Sequence, residues 1–135
     1  ENLLPIVMQV ANNTRKFLNV NGNDYDTKDG TCIRDYIHVM DLSDAHIKAI
    51  DFLKNSNSSI TLNLSYDTGY SIIDVINLTE KIVGYKINYN FVDRREGDPG
   101  IVVSSSHKAK DILNWYPRKS DLKIILESMW NVYKK

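Results

Sequence analysis

Cysteine is almost missing from this chain: Cys32 stands alone among 135 residues. A lone thiol excludes an internal disulfide framework and fits a reducing compartment, so a cytoplasmic setting is expected. Net charge is missing as well, because 17 basic and 17 acidic residues cancel. That balance argues against a broad nucleic-acid or membrane surface, and no partner of either kind is expected, although a local cluster such as Arg94-Arg95 survives the cancellation. No apolar run reaches the length needed to span a bilayer. The three histidines, His38, His46 and His107, match no metal-ligand spacing and form no Ser-His-acid arrangement, so no metal is expected. No G-x-G-x-x-G loop occurs, and none of the eight tyrosines is followed four residues later by a lysine. Neither a dinucleotide site nor a proton-transfer pair can therefore be read here, and no residue is assigned a catalytic or cofactor-binding role. What remains reads as a binding unit.

Two stretches stand out against these absences. Asp93-Arg94-Arg95-Glu96-Gly97-Asp98-Pro99-Gly100 packs two guanidinium groups, carboxylates, two glycines and a proline into eight residues. The planar fork of arginine matches phosphate oxygens, the glycines let a ligand approach the backbone, and Asp98 before Pro99 is biased towards extended geometry. Asp29-Gly30-Thr31-Cys32-Ile33-Arg34-Asp35-Tyr36 places a further arginine just after a glycine turn. On residue chemistry alone each stretch has a plainer reading beside the phosphate one. The first can be an exposed charged turn, the second a surface Arg–Asp pair worth a few tenths of a kcal/mol.

The elements follow from periodicity and caps. Residues 3–12 show a helical pattern with Pro5 tolerated in the first turn. Phe17, Leu18 and Val20 suggest a strand, followed by turns at 21–24 and 29–30. The run 36–40 reads as a strand leading to Asp41, which is expected to N-cap a helix with Leu42, Ala45, Ala49, Ile50 and Leu53 on its inner face. Residues 55–59 read as a polar loop and 60–64 alternate like a strand. Ser71 and Asp74 form a capping box for a helix that stops at Gly84. Ile87, Tyr89 and Phe91 alternate as a strand into the two-arginine loop, and Val102-Val103 suggest another. Ser105 or Ser106 caps a short helix ending near Trp115, and residues 121–133 close the chain as an amphipathic helix. The sum is a mixed α/β unit of about five helices and four or five short strands.

The run from Asp29 to His46, taken with Arg94-Arg-Glu-Gly-Asp98, resembles the C-terminal part of the UDP-glucose (UDP-galactose) 4-epimerases. These are NAD-dependent members of the extended short-chain dehydrogenase/reductase group. The likeness extends from Asn2-Leu3 and Pro5 through Gly22-Asn23-Asp24-Tyr25, Asn63-Leu64 and Ser71 to Lys108-Ala109, Leu113 and Trp115. It implies that residues 1–135 are a C-terminal nucleotide-sugar-binding domain, a piece of a longer protein. An N-terminal Rossmann half would carry NAD and the Tyr-x-x-x-Lys pair, and the strand at 60–64 with the helix before it would pack on that half's sheet. A homodimer is implied for the full-length enzyme. Without the other half the chain is expected to be inactive alone.

The resemblance also implies roles. Asn2 and Leu3 match a contact to the diphosphate region, and Arg34 and Arg95 the two phosphate-binding arginines. Asn19, Val20 and Asn21 lie where backbone groups line the uracil, and Ile72 falls where an apolar residue walls the base. Asp98 matches the acceptor for ribose hydroxyls. Val102 takes a position that is bulky and aromatic in some members and small in others, which implies a pocket able to admit UDP-GlcNAc and UDP-GalNAc. Ser105 replaces a usual Asp, and either residue can cap a helix. Two other classes stay in view: a different nucleotide-sugar enzyme of the group, such as a decarboxylase or dehydratase, and a non-catalytic sugar-nucleotide or protein-interaction module.

Overall fold

A computed structural model describes residues 2–56 and 58–134. Its first core forms where three helices meet: α1 (Leu3–Ala11), α3 (Ile72–Val83) and α5 (Leu122–Tyr133). Val7, Met8 and Ala11 of α1, Val75 and Ile76 of α3, and Leu122 and Leu126 of α5 are buried there with Leu18, Val20 and Ile87. The i, i+3/i+4 spacing in each helix supplies that apolar stripe. The capping box at the start of α3 is present: Ser71 Oγ accepts from Asp74 N at 3.0 Å, and Asp74 Oδ2 accepts from Ser71 N at 2.9 Å. Gly84 ends the helix at φ +88°, a left-handed conformation that costs glycine little. Asp121 caps α5 by accepting from Lys123 N at 2.9 Å.

Two small sheets lie beside this core. Strand β1 (Leu18–Asn21) pairs in parallel with β4 (Tyr89–Val92), with Leu18 opposite Tyr89 and Asn21 opposite Val92. Strand β2 (Ile33–Arg34) sits between β3 (Tyr70–Ser71), antiparallel to it, and β5 (Ile101–Val102), parallel to it. Five helices and five short strands thus make up the described residues, as the periodicity implied.

A second, smaller core joins α2 (Val39–Ser56) and α4 (His107–Leu113). Ala45, Ala109, Leu113 and the fully buried Trp115 form it, with Ile60, Leu62 and Leu64 packed alongside. The Trp115 indole N–H donates to the Asp41 carbonyl at 3.0 Å. Asp67 ties α4 down by accepting from Ser106 N and Ser106 Oγ, both at 2.8 Å, and from Lys110. Lys110 beside it, with the Ser106 donors, holds the Asp67 carboxyl at about 2.

Several local readings need correction. Residues 36–40 are not a strand: pairing ends at Arg34, and α2 has begun by Val39. The ring of His38 accepts from Met40 N at 3.0 Å, so His38 rather than Asp41 serves the first turn. Asp41 lies inside the helix and accepts from Arg118 N, Lys119 N and Ser120 Oγ at 3.1, 2.8 and 2.6 Å. Burial alone would raise its carboxyl, but these donors hold it below the ordinary value. Of the inner face expected for α2, Ala45 is buried, whereas Ile50 and Leu53 are exposed.

Residues 60–64 pair with no strand among the described residues, because the fold brings no sheet edge beside them. Asn55 and Ser56 belong to the last turn of α2 rather than to a loop, and Asn57 lies outside the described residues. Ser106 occupies the N-cap of α4 without a capping side-chain bond, because its hydroxyl donates to Asp67; Ser105 Oγ accepts from His107 N at 3.4 Å.

Candidate functional site

Strand β4 delivers the chain into the two-arginine loop, and its two arginines part company at once. Arg94 turns back onto the segment after β1: its Nε donates to Asp24 Oδ1 at 2.6 Å and its Nη2 to the Asp24 carbonyl. Its guanidinium carbon stands 4.1 Å from the centroid of the Tyr25 ring, a cation–π contact. The Arg94 hydrogen bond holds the Asp24 carboxyl below its ordinary value. Arg95 begins a tight turn in which Asp98 N donates to Arg95 O at 3.2 Å. Gly97 takes the third position of that turn at φ +74°, where a side chain would be strained. Arg95 and Asp98 are thereby held at the two corners of one turn. No hydrogen bond or ion pair engages the Arg95 side chain among the described residues, and it is exposed.

Strand β2 brings Arg34 to the far side of the same loop. Arg34 Nη2 donates to Asp98 Oδ1 at 2.5 Å and to Pro99 O at 2.8 Å, while Ile33 N donates to Gly100 O at 2.7 Å. Both side chains of the Arg34–Asp98 pair keep about a quarter of their surface in solvent, at 25% and 28%. The pair is therefore open to exchange for other ions. Val102 stands opposite Arg34 in the parallel β2–β5 pair and is 43% exposed.

An open cavity of about 720 Å³ extends from Arg34 towards the start of α1, lined by Asn2, Leu3, Asp35, Tyr36, His38 and Ser128 among others. Asn2, Leu3 and Arg34, far apart in sequence, thus share one wall. Burial pushes the Tyr36 hydroxyl up to about 12, so it stays neutral. His38 Nδ1 accepts from Met40 N, which puts the ring proton on Nε2, 3.1 Å from Ser128 Oγ. Asp35 Oδ2 accepts from Ser65 Oγ at 2.7 Å and from Ser104 N at 3.0 Å, so its role here is to hold the chain around Arg34.

The remaining expected residues lie at the margin of this arrangement. Val20 is fully buried in the first core, so only its backbone can meet a ligand, whereas Asn19 is exposed and Asn21 half-buried. Among the described residues β1 pairs only with β4, which leaves its other edge for such a contact. Ile72 opens α3, half-buried against the first core, with its N–H on Thr31 Oγ1 at 3.2 Å. It lines neither the cavity nor the loop.

Sequence reasoning missed Asp24 and Tyr25 as partners of Arg94, because 70 residues separate Asp24 from Arg94 and no local pattern joins them. It also missed an apolar slot of about 230 Å³ between α2 and residues 60–64, lined by Ala45, Ala49, Leu53, Ile60, Leu62 and Leu64. Beside the slot, Val39, Met40, Ile47 and Ile50 are each more than half exposed. Among the described residues, no group of three or more His, Cys, Asp or Glu is placed to hold a metal ion, and no helix is long and apolar enough to cross a membrane.

Known proteins are similar to this chain in sequence and fold. A family model described as GDP-mannose 4,6 dehydratase matches residues 1–129. The UDP-glucose 4-epimerase of Lacticaseibacillus casei is 44% identical over 129 residues, which are 96% of this chain and 39% of that protein. The human UDP-glucose 4-epimerase is 43% identical over 134 residues, 99% of this chain and 38% of that protein. Among solved structures, the UDP-glucose 4-epimerase of Stenotrophomonas maltophila with bound NAD and formylated UDP-arabinopyranose superposes with a TM-score of 0.94 at 37% identity. The match covers 98% of this chain and 39% of that one. The Bifidobacterium longum UDP-glucose 4-epimerase in complex with NAD+ and UDP gives 0.90 at 38% identity, covering 96% and 38%. The UDP-Glc/GlcNAc 4-epimerase of Campylobacter jejuni gives 0.86 at 39%, covering 97% and 40%. The chain spans about two fifths of the length of these relatives.

Proposed function

The chain belongs to the GDP-mannose 4,6-dehydratase family, and we propose that within it these residues are the UDP-sugar-binding part of an NAD-dependent 4-epimerase. The longer protein would interconvert UDP-glucose and UDP-galactose by transient oxidation at sugar C4. The observation that carries this reading is that one tight turn holds Arg95 and Asp98 at its corners while Arg34 of β2 donates to the Asp98 carboxylate. A diphosphate between two guanidinium groups gains charge-assisted hydrogen bonds, and a ribose offers hydroxyl donors to a carboxylate. Arg34 already holds Asp98, so binding on this reading is an exchange: phosphate takes the guanidinium and frees the carboxylate for ribose. Relatives at 44% and 43% identity that are 4-epimerases favour that activity over a dehydratase.

The chain's own part is binding and orientation. It contains no G-x-G-x-x-G loop and no Tyr-x-x-x-Lys pair, so NAD and the proton-transfer group are assigned to an N-terminal Rossmann half. The apolar slot and the exposed face of α2 are the surface proposed to receive that half, with residues 60–64 offered as a further strand to its sheet. Left uncovered, such a face drives association. Light scattering of the 135-residue chain should show mass rising with concentration; a monomer at all concentrations would count against this assignment. A cytoplasmic setting and a homodimer belong to the same proposal for the longer protein and rest on the resemblance.

Titrating the chain with UDP while following amide shifts tests the site. Shifts at Arg34, Arg95 and Asp98, with smaller ones along Asn19–Asn21, are expected at millimolar ligand; no shift at that concentration removes the reading. The Val102 side chain is compact and exposed, which supports the further reading that the sugar pocket admits an N-acetyl group. UDP-GlcNAc should therefore bind about as well as UDP-glucose and add a shift at Val102, and its failure to bind would remove this extension.

A further inference from the structure

Tyr25 and Arg94 are left over once the phosphate and ribose contacts have been assigned, although they are the most tightly built part of the loop. The Tyr25 ring, 7% exposed, is enclosed by both ends of the two-arginine loop and by the end of β1. Arg94 lies over it at 4.1 Å. A Cβ added to Gly100 would come within 3.3 Å of the ring, and one added to Gly22 within 2.6 Å of the ring and 2.8 Å of Arg94 Cγ. Close approach to this tyrosine thus demands glycine at position 22, and Gly100 lies tight against the same ring. The Arg94 head group is further fixed by donating to two acceptors of Asp24, its carboxylate and its carbonyl.

Arg94 and Gly100 bracket the turn that carries Arg95 and Asp98. With both brackets seated on Tyr25, the turn cannot slide along β1, and Arg94 has its charge met by Asp24. We propose that Tyr25, Asp24 and Arg94 are positioning residues for the nucleotide site: they make Arg95 the arginine that faces the ligand and withhold Arg94 from it. This rests on the UDP-binding reading above.

The Tyr25 hydroxyl sharpens the idea, because it is buried with only the weak thiol of Cys32 beside it and no oxygen or nitrogen partner in hydrogen-bond geometry. The ring, not the hydroxyl, therefore does the positioning, and phenylalanine should serve as well. Arg94 is 44% exposed and Asp24 69% at the side chain, so their replacement leaves the cores untouched.

The experiment is UDP titration of the 135-residue chain and its variants, with the amide shifts of the buried Ile76 and Leu126 reporting whether the core is intact. Arg94→Ala and Tyr25→Ala should each weaken UDP binding roughly tenfold, about 1.4 kcal/mol, with those core shifts unchanged. Tyr25→Phe should restore what Tyr25→Ala loses, and Arg94→Lys, which lacks the planar fork, should restore Arg94→Ala only partly. A residue that acts through Arg95 has nothing left to act on once Arg95 is gone. Arg94→Ala should therefore cost little in an Arg95→Ala background.

Additive losses in that double variant, wild-type affinity in Arg94→Ala, or a Tyr25→Phe variant as weak as Tyr25→Ala would each overturn the inference. If Tyr25→Ala disturbs the core, the Arg94 and Arg95 cycle decides alone. Absence of UDP binding by the unsubstituted chain would instead reject the underlying reading, and the inference with it.

Discussion

Replacing Arg34 by alanine is expected to weaken UDP binding by about 1.5–3 kcal/mol, the range for hydrogen bonds to a charged group, or roughly 10- to 150-fold. Two effects add. The ligand loses one of its two guanidinium partners. The loop also loses the donor that gathers Asp98 and Pro99 onto β2, since Arg34 Nη2 reaches Asp98 Oδ1 at 2.5 Å and Pro99 O at 2.8 Å. A third effect works the other way, because in the free chain phosphate must displace Asp98 from Arg34, and alanine removes that competition. Asp98 is 28% exposed and can find water when released, so relief from the competition offsets only a small part of the weakening. Lysine in place of Arg34 should recover only part of the loss, having a point charge where a fork is needed. Calorimetric titration with UDP reads the result, and a change below twofold would rule out Arg34 as a phosphate ligand.

Trp115→Ala should cost about 3–5 kcal/mol of folding stability, as truncation of large buried aromatics does. Trp115 is completely buried, and its indole N–H is the donor to the Asp41 carbonyl. Its loss would open a cavity at the centre of the small cluster that joins α2 to α4. The other buried members of that cluster are Ala45, Ala109 and Leu113, two of them alanines with little volume to move into the gap, and the larger side chains packed around them are only partly buried. Against a typical total stability of roughly 5–15 kcal/mol, the loss should be plain in urea unfolding. The proposed nucleotide site lies elsewhere, on β2 and the two-arginine loop, so UDP affinity well below the unfolding transition should hardly change. A stability loss under about 1 kcal/mol would show that the cluster around Trp115 collapses freely and is not a core in its own right.

What could be read from the sequence divides along a physical line. α3 was legible to the residue because its signals are local: Ser71 and Asp74 three apart, and a glycine at the end. α1 and α5 followed from apolar spacing for the same reason. Asp41 was misread because a carboxylate before an apolar run looks like a cap, whereas its partners at 118–120 lie 77 to 79 residues away. Residues 60–64 alternate as a strand should, yet a strand exists only where an edge is offered to it. In the site, residue chemistry alone left the two arginine-bearing stretches with two readings each. The resemblance assigned them to one ligand, and the structure brings Arg34 to Asp98. The Tyr25 seat was not legible at all, since nothing local distinguishes one exposed-looking Asn-Asp-Tyr turn from another.

Apart from the turn from Arg95 to Asp98, the contacts that build the proposed nucleotide site span long stretches of chain. Arg34 and Asp98 are 64 residues apart, Asp24 and Arg94 are 70, and β1 finds its partner only at Tyr89. Loops of that length close late, after helices have formed from local signals. On the ribosome, the strand proposed to line the base is made long before the loop that would complete its site. A ligand that needs every one of these closures cannot bind a half-folded chain, so UDP acts on the finished fold alone. It should therefore slow complete unfolding more than the fraying of any single helix, and the order of folding is written into which residues touch the nucleotide.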